Sequence, residues 1–280
     1  MRDLLPHELA FAFLLGGLWL WLAVAAGPFH RQTLIVLALL VAELAVVGLA
    51  RRRSSLTAWR VRLGFFLLLM NVTYLALGDV VPALREGRAD GLLQRVDIRL
   101  FGAPLPLYLD AATNRITSEV LSACYVVLFP YILFSCIRHL WKANDSLAVS
   151  QRFYSGFFTV YAISFAGYVL FPAQGAYLDM PEAFRYPIEG GWITRLNDAI
   201  VRRGSIRVDV FPSLHVAASA FILFFDRTYA RWRYLAYLAP AVGLWISTIY
   251  LRYHYGIDVI AGFVVTAIGL FVSRRWGAAT

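Results

Sequence analysis

FPSLHVAASAFILFFDRTYARWRYLAYLAPAVGLWISTIYLRYHYGID, residues Phe211 to Asp258, carries one histidine near each end and two apolar runs between them. Each run approaches the length of a helix that crosses a bilayer, at about 1.5 Å of rise per residue against a hydrocarbon core of about 30 Å. One helix going down and another returning places His215 and His254 at the same membrane face. The stretch therefore predicts a membrane fold and a two-histidine site together.

The remainder of the chain fits that frame. With 60% hydrophobic and 15% charged residues and a mean hydropathy of +0.65, an ordinary soluble domain is excluded. The 280 residues predict one all-α integral membrane domain, a polytopic helical bundle of about eight spans and at least six. The expected spans are 9–26, 33–50, 61–78, 118–140, 153–171, 212–225, 234–251 and 257–272. Asp3 and Glu8 offset Arg2, so the first run reads as a retained helix rather than a signal peptide, although Ala23, Val24 and Ala25 fit a cleavage pattern. Asn71, Val72 and Thr73 match a glycosylation sequon, but within a span it is out of reach. Cys124 and Cys136 would lie about 18 Å apart on one helix, too far for a disulfide.

Two connectors, about 79–117 and 172–210, mix charges with leucines and predict helices lying in the membrane interface. In the first, Leu92, Leu93, Val96 and Leu100 share one face, with Arg95, Asp97 and Arg99 elsewhere; in the second a surface helix is expected at 192–203. The catalytic core then falls at about 153–272. On the side holding both termini, basic residues such as Arg51, Arg52 and Arg53 far outnumber the acidic Asp3, Glu8, Asp145 and Asp226. Both termini are accordingly expected in the cytoplasm, with the two histidines on the extracytoplasmic or lumenal face. The formal charge of +9 reflects this topology bias and predicts no nucleic-acid partner.

Histidine is the simplest source of an exchangeable proton near neutral pH. His7 and His139 fall on the cytoplasmic side and His30 on a short outer loop, which leaves His215 and His254. Asp258 follows His254 by one helical turn, so its carboxylate can orient the imidazole as a nucleophile or base requires. A helix-entry aspartate that favours the positive end of a dipole is the plainer reading of the same spacing. Pro212 is expected in the first turn of a helix, where the free N–H groups of residues 213–215 and the Ser213 hydroxyl make an anion site beside His215. Arg252 and Arg207 are candidates for holding phosphate oxygens, or else interfacial anchors.

FPSLH followed by Thr248, Tyr250, Leu251, His254, Tyr255 and Asp258 resembles the type 2 phosphatidic acid phosphatase superfamily, with its closest likeness to the inositol phosphorylceramide synthase branch. The resemblance implies His254 as nucleophile oriented by Asp258, His215 as general acid, a phosphohistidine intermediate, and neither metal nor other cofactor. Ser213, Arg252, Arg207 and Tyr250 are the substrate-binding candidates. The phosphatases carry an upstream Lys and Arg-Pro motif that this chain lacks, and an arginine where Thr248 stands. These departures point to a head-group phosphotransferase, with a lipid phosphate as donor and a lipid alcohol as acceptor. Hydrolysis of phosphatidate or a polyprenyl phosphate, with water as acceptor, is the alternative. A transporter would need ionisable residues through several spans, and Glu43 is the one near mid-bilayer, expected as a protonated or hydrogen-bonded packing residue.

Overall fold

The computed structural model describes residues 4–52, 55–141 and 146–276, and within them every regular element is helical. Arg2, Asp3, Arg53 and Asp145 of the charge comparison lie outside the described residues. In chain order the α-helices are α1 (Pro6–Ala25), α2 (Arg31–Arg51), α3 (Leu56–Leu84), α4 (Asp90–Phe101), α5 (Leu105–Tyr108), α6 (Arg115–Val126) and α7 (Leu128–Trp141). They continue with α8 (Leu147–Leu170), α9 (Ala176–Asp179), α10 (Trp192–Gly204), α11 (Leu214–Tyr229), α12 (Arg231–Tyr250) and α13 (Gly256–Trp276). Side chains close several starts: Ser55, Asn114, Ser146 and Ser213 each accept from backbone N–H groups of the first turn. Gly102, at φ 88°, takes the left-handed conformation that ends α4.

Six segments are long and apolar enough to cross a membrane: α1, α2, α3, α6 with α7, α8 and α13. The chain is thus a polytopic helical membrane protein. The two other expected spans are helices as well, but α11 has only 16 residues and α12 mixes its 20 with Arg233, Pro240, Ser247 and Thr248. The fourth span is broken at Val127 into α6 and α7. The third runs on through Asp79 to Leu84, so the first connector begins later than its charged residues suggested; helix propagation there needs only satisfied backbone, which Asp79 does not disturb.

The connector helix α4 corrects its sequence-based face. Asp90, Leu93 and Asp97, spaced at helical intervals, turn inward, while Leu92 and Leu100 are exposed. The two aspartates face in because buried N–H groups await them, as described below.

Helix α8 is the central post, with 78% of its most apolar stretch buried. It packs against α13, α1, α11 and α3. Phe153, Phe157, Phe221 and Phe225 form a continuous aromatic contact between α8 and α11. Two glycines let α8 and α13 close on each other: a Cβ on Gly156 would lie 2.6 Å from the Gly269 carbonyl and 2.5 Å from the Phe221 ring. At the end of the α11–α12 hairpin away from the histidines, Arg233 and Asp226 form a fully buried ion pair at 3.1 Å. Tyr131 donates to the same carboxylate and Ser135 bonds the guanidinium, so the pair is held by α7. Glu43 is buried, with neither carboxylate oxygen hydrogen-bonded among the described residues, so of its two expected states the hydrogen-bonded one is absent.

Gly156→Val should overpack the α8–α13 contact by about 1–3 kcal/mol and lower the thermal midpoint in detergent. Gly16→Ala, where a Cβ meets nothing within 4 Å, is the matched control and should leave the midpoint in place.

Candidate active site

The site is built on two helix ends. Helix α12 stops at Tyr250, where the Thr248 carbonyl accepts the N–H groups of both Tyr253 and His254, and residues 251–255 turn into α13. Thr248, at the position where the resemblance leads one to expect an arginine, is fully buried, with its hydroxyl returned to the Trp245 carbonyl. Opposite, Ser213 caps α11 and places His215 in its first turn. Pro212 therefore sits before the cap, not in the first turn as expected, and its bond to Phe211 is cis. Gly167 of α8 and Gly262 of α13 make room for this turn: added Cβ atoms would lie 2.2 Å from Pro212 and 2.8 Å from the Ser213 carbonyl.

The two histidines meet, with ring centroids 5.7 Å apart. His254 is buried and His215 half-buried. Asp258 lies as its spacing predicted, with Oδ2 3.4 Å from His254 Nδ1, within ion-pair range but longer than an ordinary hydrogen bond. The same oxygen accepts the Tyr255 N–H at 2.7 Å, which fixes the carboxylate in place. Burial pushes the His254 imidazole down to about 4, against the opposing influence of Asp209 and the Val210 carbonyl. The resting ring is neutral at physiological pH, as a nucleophile must be.

The anion site expected at the α11 start is reduced. The Ser213 N–H donates to the Asp258 carbonyl at 3.0 Å, and the Ser213 hydroxyl accepts from Val216. The N–H groups of Leu214 and His215 have no acceptor among the described residues.

The remaining candidates lie apart from the histidine pair. The Tyr250 hydroxyl bonds Ser118 at 2.9 Å and the Asn114 backbone, tying α12 to α6. Arg252 adopts φ 66°, which a side chain rarely takes, and is held there from three sides. Asp110 pairs with it at 2.9 Å, the Tyr186 carbonyl accepts from it, and Phe184 stacks under it at 4.0 Å. Burial lowers the Arg252 pKa, with Asp110 working against that shift. Arg207 is exposed, also at positive φ, with its N–H on the Ser205 hydroxyl.

Buried carboxylates of the first connector hold the turn around His254. Asp97 accepts the N–H groups of Gly256 and Ile257 at 2.8 Å each and that of Leu105 at 2.9 Å. Asp90 accepts from Gln174 and Gly175 and from the Tyr255 hydroxyl. Gly175, at φ +87°, passes so close to the turn that a Cβ would lie 2.4 Å from the Tyr253 carbonyl.

Two residues of the site were not found from the sequence. Tyr125 of α6 bonds His215 Nε2 at 2.7 Å and packs on the ring. Burial pushes the His215 imidazole down to about 3, with the neighbouring His254 adding to the shift, and Asp209 lies near enough to both histidines to oppose it. Tyr125 lay unmarked within an apolar span; Asp209, two residues before FPSLH, was the more legible signal. A cavity of about 600 Å³ runs from these residues between α3 and α7, over α8 and under α10. It is lined mostly by apolar residues such as Leu67, Met70, Ile132, Leu133 and Phe165, with Tyr74, Ser205, Asp209, Tyr125 and His215 among its polar groups.

Residues 92–272 match the sequence profile of the PAP2 superfamily, and those residues hold both histidines, Asp258, the turn and, of its buttresses, Asp97 and Asp110. The chain belongs to the PAP2 superfamily. Searches among curated proteins and among solved structures return no match. PAP2 membership supports phosphatase or phosphotransferase activity in general, and in a polytopic membrane protein it makes a lipid phosphate the plausible substrate.

Asp97→Ala would strand three N–H groups, that of Gly256 buried and those of Ile257 and Leu105 partly so, at a cost of about 3 kcal/mol. Its thermal midpoint in detergent should fall well below that of Asp198→Ala, which removes only an exposed pair with Arg202.

Proposed function

We propose that this PAP2 protein moves a phosphorylated head group from a phospholipid to a lipid alcohol through a phosphohistidine on His254. The observation that carries the reading is the half-buried His215, which lines a largely apolar cavity and stands with its ring 5.7 Å from that of the buried His254. The cavity follows α6 and α7 from Tyr125 to Leu140, roughly 22 Å along a helix axis, which exceeds the depth of one leaflet at about 15 Å. An acyl chain fits such a slot, with its head group delivered to the histidines.

In the first step the neutral His254 ring attacks phosphorus, the bond from phosphorus to the lipid oxygen breaks, and protonated His215 gives that oxygen its proton. The positive ring then draws on Asp258, whose carboxylate already stands 3.4 Å from Nδ1. In the second step the acceptor hydroxyl attacks phosphorus, its proton passes to His215, and the P–N bond breaks. Tyr125 keeps His215 oriented between steps. Leu214 and His215 N–H groups are available to the phosphoryl oxygens. Arg252 serves by shaping the turn through Asp110; Arg207, exposed near the mouth, is free to meet an anionic head group. The paired motifs and the buried Thr248 favour the inositol phosphorylceramide synthase branch within the superfamily. The site is taken to lie on the extracytoplasmic or lumenal face, with both termini in the cytoplasm, a reading that the charge bias supports.

Purified protein given a phospholipid labelled in its head-group phosphate, with a lipid alcohol present, should yield a new labelled phospholipid. Release of labelled phosphate to water alone would instead identify a phosphatase. His254→Ala and His215→Ala should each abolish turnover, and a fully active His254→Ala protein would end the mechanism. Asp258→Asn should retain a residual rate, and Tyr125→Phe should lower kcat about tenfold, the equivalent of one hydrogen bond at ~1.4 kcal/mol.

With a phosphodiester substrate, whose own phosphate does not titrate nearby, kcat/KM reports both histidines of the free enzyme, His254 neutral and His215 protonated. Burial lowers both, His254 to about 4 and His215 to about 3, so the productive form is most populated well below neutral pH. Both limbs of the profile should therefore lie on the acid side of 6.5, and a limb at or above 6.5 would contradict the buried setting.

A further inference from the structure

The charge of Asp209 favours the protonated histidines, but a carboxylate at a site that receives phosphate also repels it, so phosphate binding leaves its place in the cavity without a role. It is nonetheless built in. Tyr74 of α3 donates to Oδ2 at 2.5 Å, the Ser205 hydroxyl donates to Oδ1 at 2.8 Å, and Tyr74 also reaches the Gly204 carbonyl. Each oxygen thus accepts one bond from the protein and keeps a second lone pair. The residue is half-buried and lines the cavity alongside His215.

We propose that Asp209, fixed by Tyr74 and Ser205, is a subsite for the acceptor lipid that recognises a hydrogen-bond donor next to the reacting hydroxyl. The reacting hydroxyl has one hydrogen, which must go to His215, so a bond to Asp209 has to come from a neighbouring group. A vicinal hydroxyl or an amide N–H one or two carbons away supplies it. The alcohol released in the first step, if it is a diacylglycerol, has only ester oxygens beside its hydroxyl and cannot make this bond. The same cavity thus holds leaving and entering lipids in turn and retains the entering one more tightly. The inference rests on the transferase reading, and Asp209 acts in it as a specificity determinant, without donating to or taking from the reacting atoms.

The test uses the full-length protein in detergent with a head-group-labelled phospholipid and three acceptors of matched chain length: an N-acyl amino diol, a monoacylglycerol and a diacylglycerol. The readout is the ratio of kcat/KM for each donor-bearing acceptor to that for diacylglycerol. The wild-type ratio should be tenfold or more, and Asp209→Ala should bring it close to one. Asp209→Asn preserves shape while removing the charge that strengthens the bond, and should lower the ratio severalfold with the thermal midpoint retained. A ratio that survives both substitutions, or a wild-type ratio near one, overturns the subsite. If only the amide or only the vicinal diol gains, the donor is thereby identified. Labelled phosphate released to water, with transfer to none of the three, removes the transferase reading itself, and is recognisable as such before any variant is made.

Discussion

Backbone N–H groups at a buried helix start must find acceptors, and in this protein the start of α13 finds them in Asp97 of a different segment. Most of the site depends on that arrangement. His254 immediately precedes α13, so the carboxylate that satisfies Gly256 and Ile257 also decides where the imidazole points. Asp90 and Asp110 extend the same principle to the neighbouring loop and to Arg252. The first connector is thereby a structural partner of the histidine loop, although more than a hundred residues separate them in sequence.

This explains the pattern of polar burial. The aspartates of the first connector that go inside are those that meet N–H groups or a guanidinium, and a buried carboxylate with such partners is far less costly than one without. On the other side of the site, the Ser213 N–H donates to the Asp258 carbonyl, which ties the α11 start to the first turn of α13, while the Asp258 carboxylate accepts the Tyr255 N–H. The histidine spacing is set by helix packing, through Gly167 and Gly262, rather than by any bond between the rings.

How much of this was legible in the sequence follows from the range of the forces involved. The helical class and most of the spans were readable, because hydropathy over some twenty residues reports on a solvent the whole segment shares. The pairing of His215, His254 and Asp258 was readable from helical spacing and motif. Asp97 was misread because amphipathic reasoning treats a charge as an outward signal, whereas here it is drawn inward by N–H groups from a helix 159 residues away in sequence. Tyr250 and Arg252 were singled out by residue type and motif, and their protein partners Ser118, Asn114 and Asp110 were out of view because they are long-range in sequence. Tyr125 could not be picked out, since a tyrosine within an apolar helix looks alike whether its hydroxyl meets lipid, protein or a catalytic imidazole.

The buried Arg233–Asp226 pair bears on how the protein is made. A helix carrying either charge alone is a poor candidate for independent entry into the bilayer, at about 2.5–3.5 kcal/mol per charge, and α11 at 16 residues reaches only about 24 Å. Joined by the one-residue turn at Ala230, the two helices cancel those charges and present Tyr131 and Ser135 of an earlier segment with their partners. The hairpin therefore suits entry into the membrane as a single unit, its two charges neutralised by each other and the buried pair completed by Tyr131 and Ser135 of α7.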